Sequence, residues 1–326
     1  MQTDAQILLP FLRSGESFLS GTAIARELGL SRVSVHNHLE NLRREGFRFD
    51  AIRNRGYRLA AEPLTFHPAF FEALLEREPC PYIRRVFPFD TVSSTNDVAA
   101  EKLSAETETP FVVVANSQSA GRGRRGRIWH SPHARNLYLS LGLRPRLPPA
   151  RLQTITLWLG LSLCRFIRNH CGLPVMLKWP NDLFLHDRKI AGMLTEARVD
   201  AELTRDLVFG LGLNVNAGEA DFPAELASVA GSLALNLGHP LPLTRLAHGL
   251  VVCLAEAVEV FLDEGAAPPG LADLWPEFDY LRGQRVRTEA LEGIASGINS
   301  NGSLRVLRDD GSTAFLHSGE VSLLKG

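Results

Sequence analysis

Seven consecutive residues, Gly121-Arg122-Gly123-Arg124-Arg125-Gly126-Arg127, hold four arginines and three glycines and no acid. The apolar run Phe111-Val112-Val113-Val114-Ala115 stands before them, and the alternating segment Leu137-Tyr138-Leu139-Ser140-Leu141 comes soon after. Strand patterns on both sides make this a loop tethered at two ends. Guanidinium groups bind phosphate or carboxylate oxygens through forked hydrogen bonds. Glycines let backbone N–H groups approach the same oxygens closely. The tract therefore reads either as an anion-binding lid or as an arginine–glycine stretch that holds nucleic acid loosely, and the seven residues alone do not separate the two.

Bulk properties narrow the classes. The chain has 326 residues, room for two or three domains. With 45% hydrophobic and 22% charged residues it is an ordinary folded protein, not a disordered one. Its formal net charge of −1 means that any nucleic-acid contact must come from a local patch. Cys80, Cys164, Cys171 and Cys253 form no CxxC pair and have no histidine at zinc-finger spacing, so reduced thiols are expected. The start, Met1-Gln2-Thr3-Asp4, lacks the pattern of a signal peptide, and no apolar run is long enough for a membrane span. A cytoplasmic protein with no membrane contact is expected.

Residues 1–62 read as a small basic domain. Ile7, Leu8, Phe11 and Leu12 recur at helical spacing. Ser20 can cap a short helix that ends at Gly29, and Ser31 a second helix with Val35, Leu39 and Leu42 on one face. This predicts a helix-turn-helix followed by a two-stranded wing that turns at Arg53-Asn54-Arg55-Gly56. Between Arg26 and Arg58 there are eight arginines against four acids, an excess suited to phosphate contacts. Ser31, Arg32, Ser34, His36 and Asn37 on the recognition helix, with Arg53 and Arg55 on the wing, are the candidate DNA contacts. Protein docking is the other reading of such a module. Residues 63–79, with Pro63 and Pro68, are expected to form a linker or a connecting helix.

Residues 80–280 read as a catalytic domain. A strand over Arg85–Asp90 runs into Ser94-Thr95-Asn96 and an Ala-rich helix. Simple helix capping accounts for those polar residues on its own, and contact with a polar ligand edge is the alternative. Long apolar helices are expected over Leu152–Asn169 and Leu243–Glu264, and another over Leu271–Tyr280. Val175–Trp179 is a strand ended by Pro180, and Asn181-Asp182 is a turn signal. Lys178 and Trp179 are awkward in an apolar strand unless they face a site. Lys189 opens a further strand beside the small residues Ala191 and Gly192. In Leu207–Asn216, Gly210 and Gly212 share a face that is left open for a ligand. No Walker loop occurs, and the glycines do not form a Rossmann fingerprint. Residues 281–326 alternate as short strands between the turn signals Asn301-Gly302 and Asp309-Asp310-Gly311, which predicts a small β-barrel.

In order, Ser-Thr-Asn, Gln118, Gly-Arg-Gly-Arg-Arg-Gly-Arg, Lys-Trp-Pro-Asn-Asp, Lys-Ile-Ala-Gly and Gly-Leu-Gly-Leu-Asn-Val-Asn resemble the biotin protein ligases. With the winged helix in front, the whole chain resembles the bifunctional ligase and biotin operon repressor type. The resemblance implies an α+β chain: a winged helix-turn-helix, a central mixed-sheet domain of the biotin/lipoate ligase kind, and a C-terminal SH3-like barrel. It implies ATP and Mg²⁺ as reactants with biotin, and biotin transfer to a lysine of a biotin carboxyl carrier domain.

By the same resemblance, Ser94, Thr95, Asn96, Gln118, Arg122, Gly123, Arg124, Lys189, Gly210 and Gly212 hold biotin. Arg122, Arg124, Arg125, Arg127, Trp129, Lys178, Asn181, Lys189 and Asn214 hold ATP or the adenylate. Lys189, Arg124 and Asp182 serve the chemistry, and the metal comes with the phosphates. The adenylate-bound form would be a homodimer on operator DNA, joined through the central sheet. A C-terminal arginine of the family is Leu324 here, with Lys325 next. A ligase-only enzyme with a non-repressing winged helix, a lipoate or octanoyl transferase, and a regulator that merely senses a ligand are the competing readings.

Overall fold

The computed structural model describes residues 4–264, 270–289 and 291–324; Lys325 lies outside them. Two units result: Met1–Pro81 with Pro240–Val251, and Tyr82–His239 with Val252–Gly326.

Local capping chemistry shapes the first unit. Helix α1 (Asp4–Ser14) precedes α2 (Gly21–Leu28), where the Ser20 Oγ accepts the Ala23 N–H at 3.0 Å. Gly29 ends α2 at φ 66°, a left-handed conformation that glycine takes without strain. The Ser31 Oγ accepts the Ser34 N–H at 3.0 Å and starts α3 (Arg32–Arg44). Strands β1 (Arg48–Ile52) and β2 (Gly56–Ala61) form the antiparallel wing. Ile7, Leu8, Phe11, Ile24, Val35, Leu39 and Phe47 are buried together.

Of the two readings of 63–79, the helix is the one found, and it is part of the first unit's core rather than a passage between domains. The stretch contains helix α4 (Pro68–Arg77), whose Phe70, Ala73 and Leu74 are buried in the same core. Aromatic side chains at helical spacing give it an apolar face that has to be covered. The returning segment joins this unit by polar bonds: Thr244 Oγ1 accepts the His67 N–H at 2.9 Å, and Arg245 Nε donates to the Glu62 carboxylate at 2.7 Å. Burial pushes the Glu62 pKa up, against the pull of that guanidinium.

The second unit is built on a seven-stranded mixed sheet of order β3-β4-β5-β9-β8-β7-β6. Strand β3 (Arg85–Val92) and β4 (Phe111–Gln118) are parallel and joined by α5 (Thr95–Ser104), as parallel pairing requires a crossover. The other neighbours are antiparallel: β5 (Leu137–Leu143), β6 (Met176–Lys178), β7 (Asp182–Leu185), β8 (Arg188–Asp200) and β9 (Leu203–Leu213). Every residue of β5 is buried, which fits a central strand covered on both faces.

Helix α5 packs its Ala99 and Leu103 with Phe111, Val113 and Val208 on one face of the sheet. Helix α6 (Ile155–Cys171) lies on the other, where Gly160 lets it approach Met193 and Leu177. It starts later than Leu152, because Pro149–Leu152 is a short 3-10 turn. Helices α7 (Leu233–Leu237), α8 (Leu243–Glu264) and α9 (Leu271–Phe278) follow, the last stopping short of Tyr280.

A five-stranded antiparallel sheet of the SH3-like kind closes the chain: β10 (Arg285–Arg287), β11 (Glu292–Ile298), β12 (Leu304–Leu307), β13 (Thr313–Leu316) and β14 (Ser322–Leu323), in the order β13-β12-β11-β10-β14. Strand β13 follows the Asp309-Asp310-Gly311 turn. Among the described residues no helix is long and apolar enough to cross a membrane.

Phe70→Ala should destabilise the first unit by about 3–5 kcal/mol, as removing a buried aromatic does. Urea unfolding measures it, and a loss under about 1 kcal/mol would return 63–79 to the status of a tether.

Candidate active site

Strand β3 delivers Ser94, Thr95 and Asn96 to the start of α5, and all three are buried. Ser94 occupies the cap position but makes no side-chain cap bond. The cap comes from β4 instead. The Gln118 Oε1 accepts the Thr95 N–H at 2.8 Å and lies 3.2 Å from Thr95 Oγ1. Its amide nitrogen donates to Ser131 Oγ at 3.1 Å. Ser140 Oγ lies 2.6 Å from Asn96 Oδ1 and 2.8 Å from Thr95 Oγ1. Buried polar groups linked in this way hold one another in a single orientation.

Two side chains approach the glycine face of β9 closely. A Cβ at Gly210 would lie 2.1 Å from Asn96 Oδ1, and one at Gly212 would lie 2.4 Å from Trp129 Nε1. Gly192 pairs with Gly212 across the strands, and its Cβ would also meet the indole, at 2.9 Å. The missing side chains let Asn96 and Trp129 come close to the strands, and these side chains and the glycines line the cavity together. The Trp129 Nε1–H is buried with no acceptor. A buried donor left so costs about 1–3 kcal/mol, and a ligand that offers an acceptor removes that cost.

The arginine tract is a closed turn. Gly123 N–H donates to Arg127 O at 2.7 Å, and Trp129 N–H to Gly121 O at 2.9 Å. Arg125 sits at φ 56°, in the left-handed region that a side chain disfavours. The arginines then fan apart. Arg122 reaches Asp97 at 2.6 Å and Glu196 at 3.2 Å, and Arg124 donates to Asn181 Oδ1 at 2.9 Å. Arg125 pairs with Glu289 at 3.0 Å, and Arg127 donates to Glu320 at 2.6 Å.

Opposite the tract stand two lysines. Lys189 Nζ is 2.8 Å from Asp182 Oδ1 and 5.4 Å from the centre of the Trp129 ring. Lys178 Nζ is 5.2 Å from the centre of the Phe184 ring. Burial pushes the pKa of Lys178 and of Arg124 below the usual values, and the charge of Asp182 opposes both shifts.

These groups surround one cavity of about 560 Å³, the size of an ordinary small-molecule site. Ser94, Thr95, Asn96, Gln118, Arg122, Gly123, Arg124, Arg125, Arg127, Trp129, Lys178, Asn181, Asp182, Lys189, Gly210, Gly212 and Asn214 all line it. Asn214 is already engaged: its amide nitrogen donates to Gly231 O at 3.0 Å and its oxygen accepts from Asn136 at 3.2 Å. It holds the loop that contains Gly231 and still lines the cavity. Trp179 was expected to face the site, and it lies on the wall with its indole N–H on Gly302 O at 2.9 Å.

Sequence reasoning missed Phe184, Phe222, Leu226 and Val229, which supply the apolar wall. The last three belong to a loop that docks on β8 through Lys189 N–H to Val229 O at 2.8 Å. Its only signal was an apolar residue every few positions in a polar stretch. Glu196 and Asp97 were missed as well.

Among the described residues no three metal-binding side chains gather. Three carboxylates stand on the wall, Asp182 paired with Lys189, Glu320 paired with Arg127, and Asp187.

In the first unit, Arg32, His36 and Asn37 are exposed on α3, and Arg53 and Arg55 on the wing. Ser31, which caps the helix, is also exposed, and Ser34, whose backbone N–H it accepts, is half-buried. Val33, 69% exposed beside Arg32, was overlooked.

Gly212→Ala should cost about 1–3 kcal/mol in urea unfolding, because the new methyl group meets the indole. Unchanged stability would mean that Trp129 has room to swing clear.

Three family models match the chain: "HTH domain" over residues 5–58, "Biotin/lipoate A/B protein ligase family" over 88–214, and "Biotin protein ligase C terminal domain" over 282–324. The chain is 31% identical over 317 residues to the bifunctional ligase/repressor BirA of Bacillus subtilis, covering 96% of each chain. It is 32% identical over 321 residues to the BirA of Escherichia coli, covering 97% of this chain and 96% of that one. The Aquifex aeolicus biotin protein ligase in complex with biotin and ATP is similar to 75% of this chain over its own full length, with 26% identity and a TM-score of 0.63. The chain belongs to the biotin protein ligase family, in the form that carries an N-terminal helix-turn-helix domain.

Proposed function

We propose that the cavity joins biotin to MgATP as biotinyl-5′-adenylate and then transfers the biotinyl group to a lysine of a biotin carboxyl carrier domain. The carrying observation is the convergence of four lid arginines, Lys178 and Lys189 on a cavity whose opposite end is a buried amide-and-hydroxyl network. A carboxylate and a triphosphate repel each other, so a site that brings them together needs dense positive charge. A ureido ring needs donors and acceptors inside an otherwise apolar slot.

In the first step a biotin carboxylate oxygen attacks the α-phosphorus, and pyrophosphate leaves with the bond it takes from ATP. Lys189, steered by Asp182, neutralises the carboxylate and the α-phosphate oxygens as they meet. Arg124, held toward the hairpin by Asn181, faces the same charge, while Arg125 and Arg127 exchange Glu289 and Glu320 for phosphate oxygens. Mg²⁺ bound with the triphosphate would offset its charge, and the wall carboxylates Asp182, Asp187 and Glu320 would hold it. In the second step the carrier amine attacks the acyl carbon of the mixed anhydride, AMP leaves, and the amine proton is lost. The enzyme needs no nucleophile of its own.

The same reading gives the first unit a regulatory task. The adenylate-bound chain forms a homodimer, presents two winged helices to a palindromic operator, and represses; the carrier domain competes for that form. The exposed arginines of α3 and the wing support this half of the reading.

Incubation with biotin, MgATP and a carrier domain should yield biotinylated carrier. Lys189→Ala should cut adenylation about 10²–10³-fold, the usual cost of removing one group that stabilises a charged transition state. A variant as fast as wild type would remove Lys189 from the chemistry. In gel shifts on a palindromic promoter fragment, biotin plus ATP should strengthen binding. The Arg53→Ala/Arg55→Ala pair should lower the magnitude of the log–log salt slope by about 2 per chain, one ion release for each phosphate contact. A shift that ignores biotin and ATP under all conditions would leave the ligase half alone.

A further inference from the structure

We propose that Glu196 is a positioning residue for the adenylation site, with one carboxylate oxygen that both aims the Asn96 amide and docks the first lid arginine. The proposal deepens the ligase reading and rests on it. Oε2 of Glu196 accepts from Asn96 Nδ2 at 2.7 Å and from Arg122 Nη2 at 3.2 Å. One atom therefore joins α5, β8 and the lid.

The orientation of an asparagine amide is set by its neighbours, since its two ends have nearly the same shape. Around Asn96 those neighbours leave one choice. Glu196 and the Leu194 carbonyl, the latter at 3.4 Å, are acceptors and take the NH₂ end. Ser140 Oγ, at 2.6 Å, serves the oxygen end. Turned the other way, the amide oxygen would face an ionised carboxylate. Held as it is, Oδ1 keeps a second lone pair, and Asn96 lines the cavity. The ligand group such an acceptor selects is a ring N–H, which a ureido ring carries.

Arg122 lies between Asp97, at 2.6 Å, and Glu196. All three side chains are close to half exposed, so the pairs are weak and the lid can open in each turnover. The shared oxygen gives the lid a condition for closing: the carboxylate that receives Arg122 is the one already turned by Asn96. The end of the cavity that reads the ring and the loop that covers the anhydride are thus coupled through Glu196.

The test uses the full chain with Glu196→Ala, Glu196→Gln and, as a comparison, Asp97→Asn, each first matched to wild type in thermal unfolding. Biotin KM and kcat are read from pyrophosphate exchange, and adenylate escape from a preformed complex. Alanine removes both contacts, and should raise biotin KM about tenfold and speed escape about tenfold, the effect expected for a lost hydrogen bond to a charged group. Glutamine keeps an acceptor for Asn96 but no charge. It should hold biotin KM within about threefold of wild type while adenylate still escapes faster, because the neutral amide pairs poorly with a guanidinium.

That split, KM restored and retention not, is a signature that a general loss of packing does not give. Wild-type KM and retention in both Glu196 variants would overturn the proposal, as would escape quickened by Asp97→Asn alone. A wild-type chain that makes no adenylate from biotin and MgATP overturns the ligase reading and the proposal with it. An active wild type with indifferent Glu196 variants overturns the proposal alone.

Discussion

Six cations, Arg122, Arg124, Arg125, Arg127, Lys178 and Lys189, face one cavity, and the rest of the catalytic unit is arranged to make that tolerable. Their mutual repulsion is visible in the pKa shifts: Arg125 and Arg127 help push Arg124 down, and Lys189 and Arg127 help push Lys178 down. Four of the six have an acidic partner from elsewhere in the chain, while Arg124 rests on the neutral Asn181 and Lys178 lies over the Phe184 ring. Asp97 comes from α5, Glu196 from β8, Asp182 from the β6–β7 hairpin, and Glu289 and Glu320 from the C-terminal segment. Most of these pairs are half exposed and weak. Weakness suits a site whose reactants are anions, since phosphate oxygens can replace the carboxylates without a large barrier.

The C-terminal sheet belongs to this arrangement and is more than an appendage. It supplies Glu320 to the cavity wall, and its Gly302 carbonyl receives the buried Trp179 indole N–H. The strand that carries Lys178 is thereby fixed at its far end. The binding network at the start of α5 is built on the same economy: Gln118 replaces the helix cap that Ser94 does not supply, so a single glutamine both starts the helix and lines the cavity.

Much of this was legible in the residues because charge and glycine are expensive where they have no task. A tract of four arginines between two apolar strands, a lysine inside a third, and paired glycines in a fourth all break the local pattern, and all lie on the cavity. The winged helix was legible for a different reason, since Ser20, Gly29 and Ser31 mark its helix ends by short-range bonds.

What stayed hidden depends on long-range geometry. Glu196 is an acid late in a strand and reads as a solvated residue until β8 is laid beside α5. The aromatic residues of 63–79 read as a passage between domains until α4 is seen against the core of the first unit. Glycines 210 and 212 announced close approach correctly, but only the fold says that the approaching groups are Asn96 and Trp129.

Trp129 has a consequence beyond binding. The indole N–H groups of Trp158 and Trp179 are tied to backbone carbonyls, so their surroundings are fixed by the fold. The Trp129 N–H has no acceptor, and its ring lies against two glycines and beside a lysine ammonium. A ligand that offers an acceptor there changes the surroundings of this indole. A ligand that fills the cavity should therefore change the ultraviolet emission of the protein without any added label.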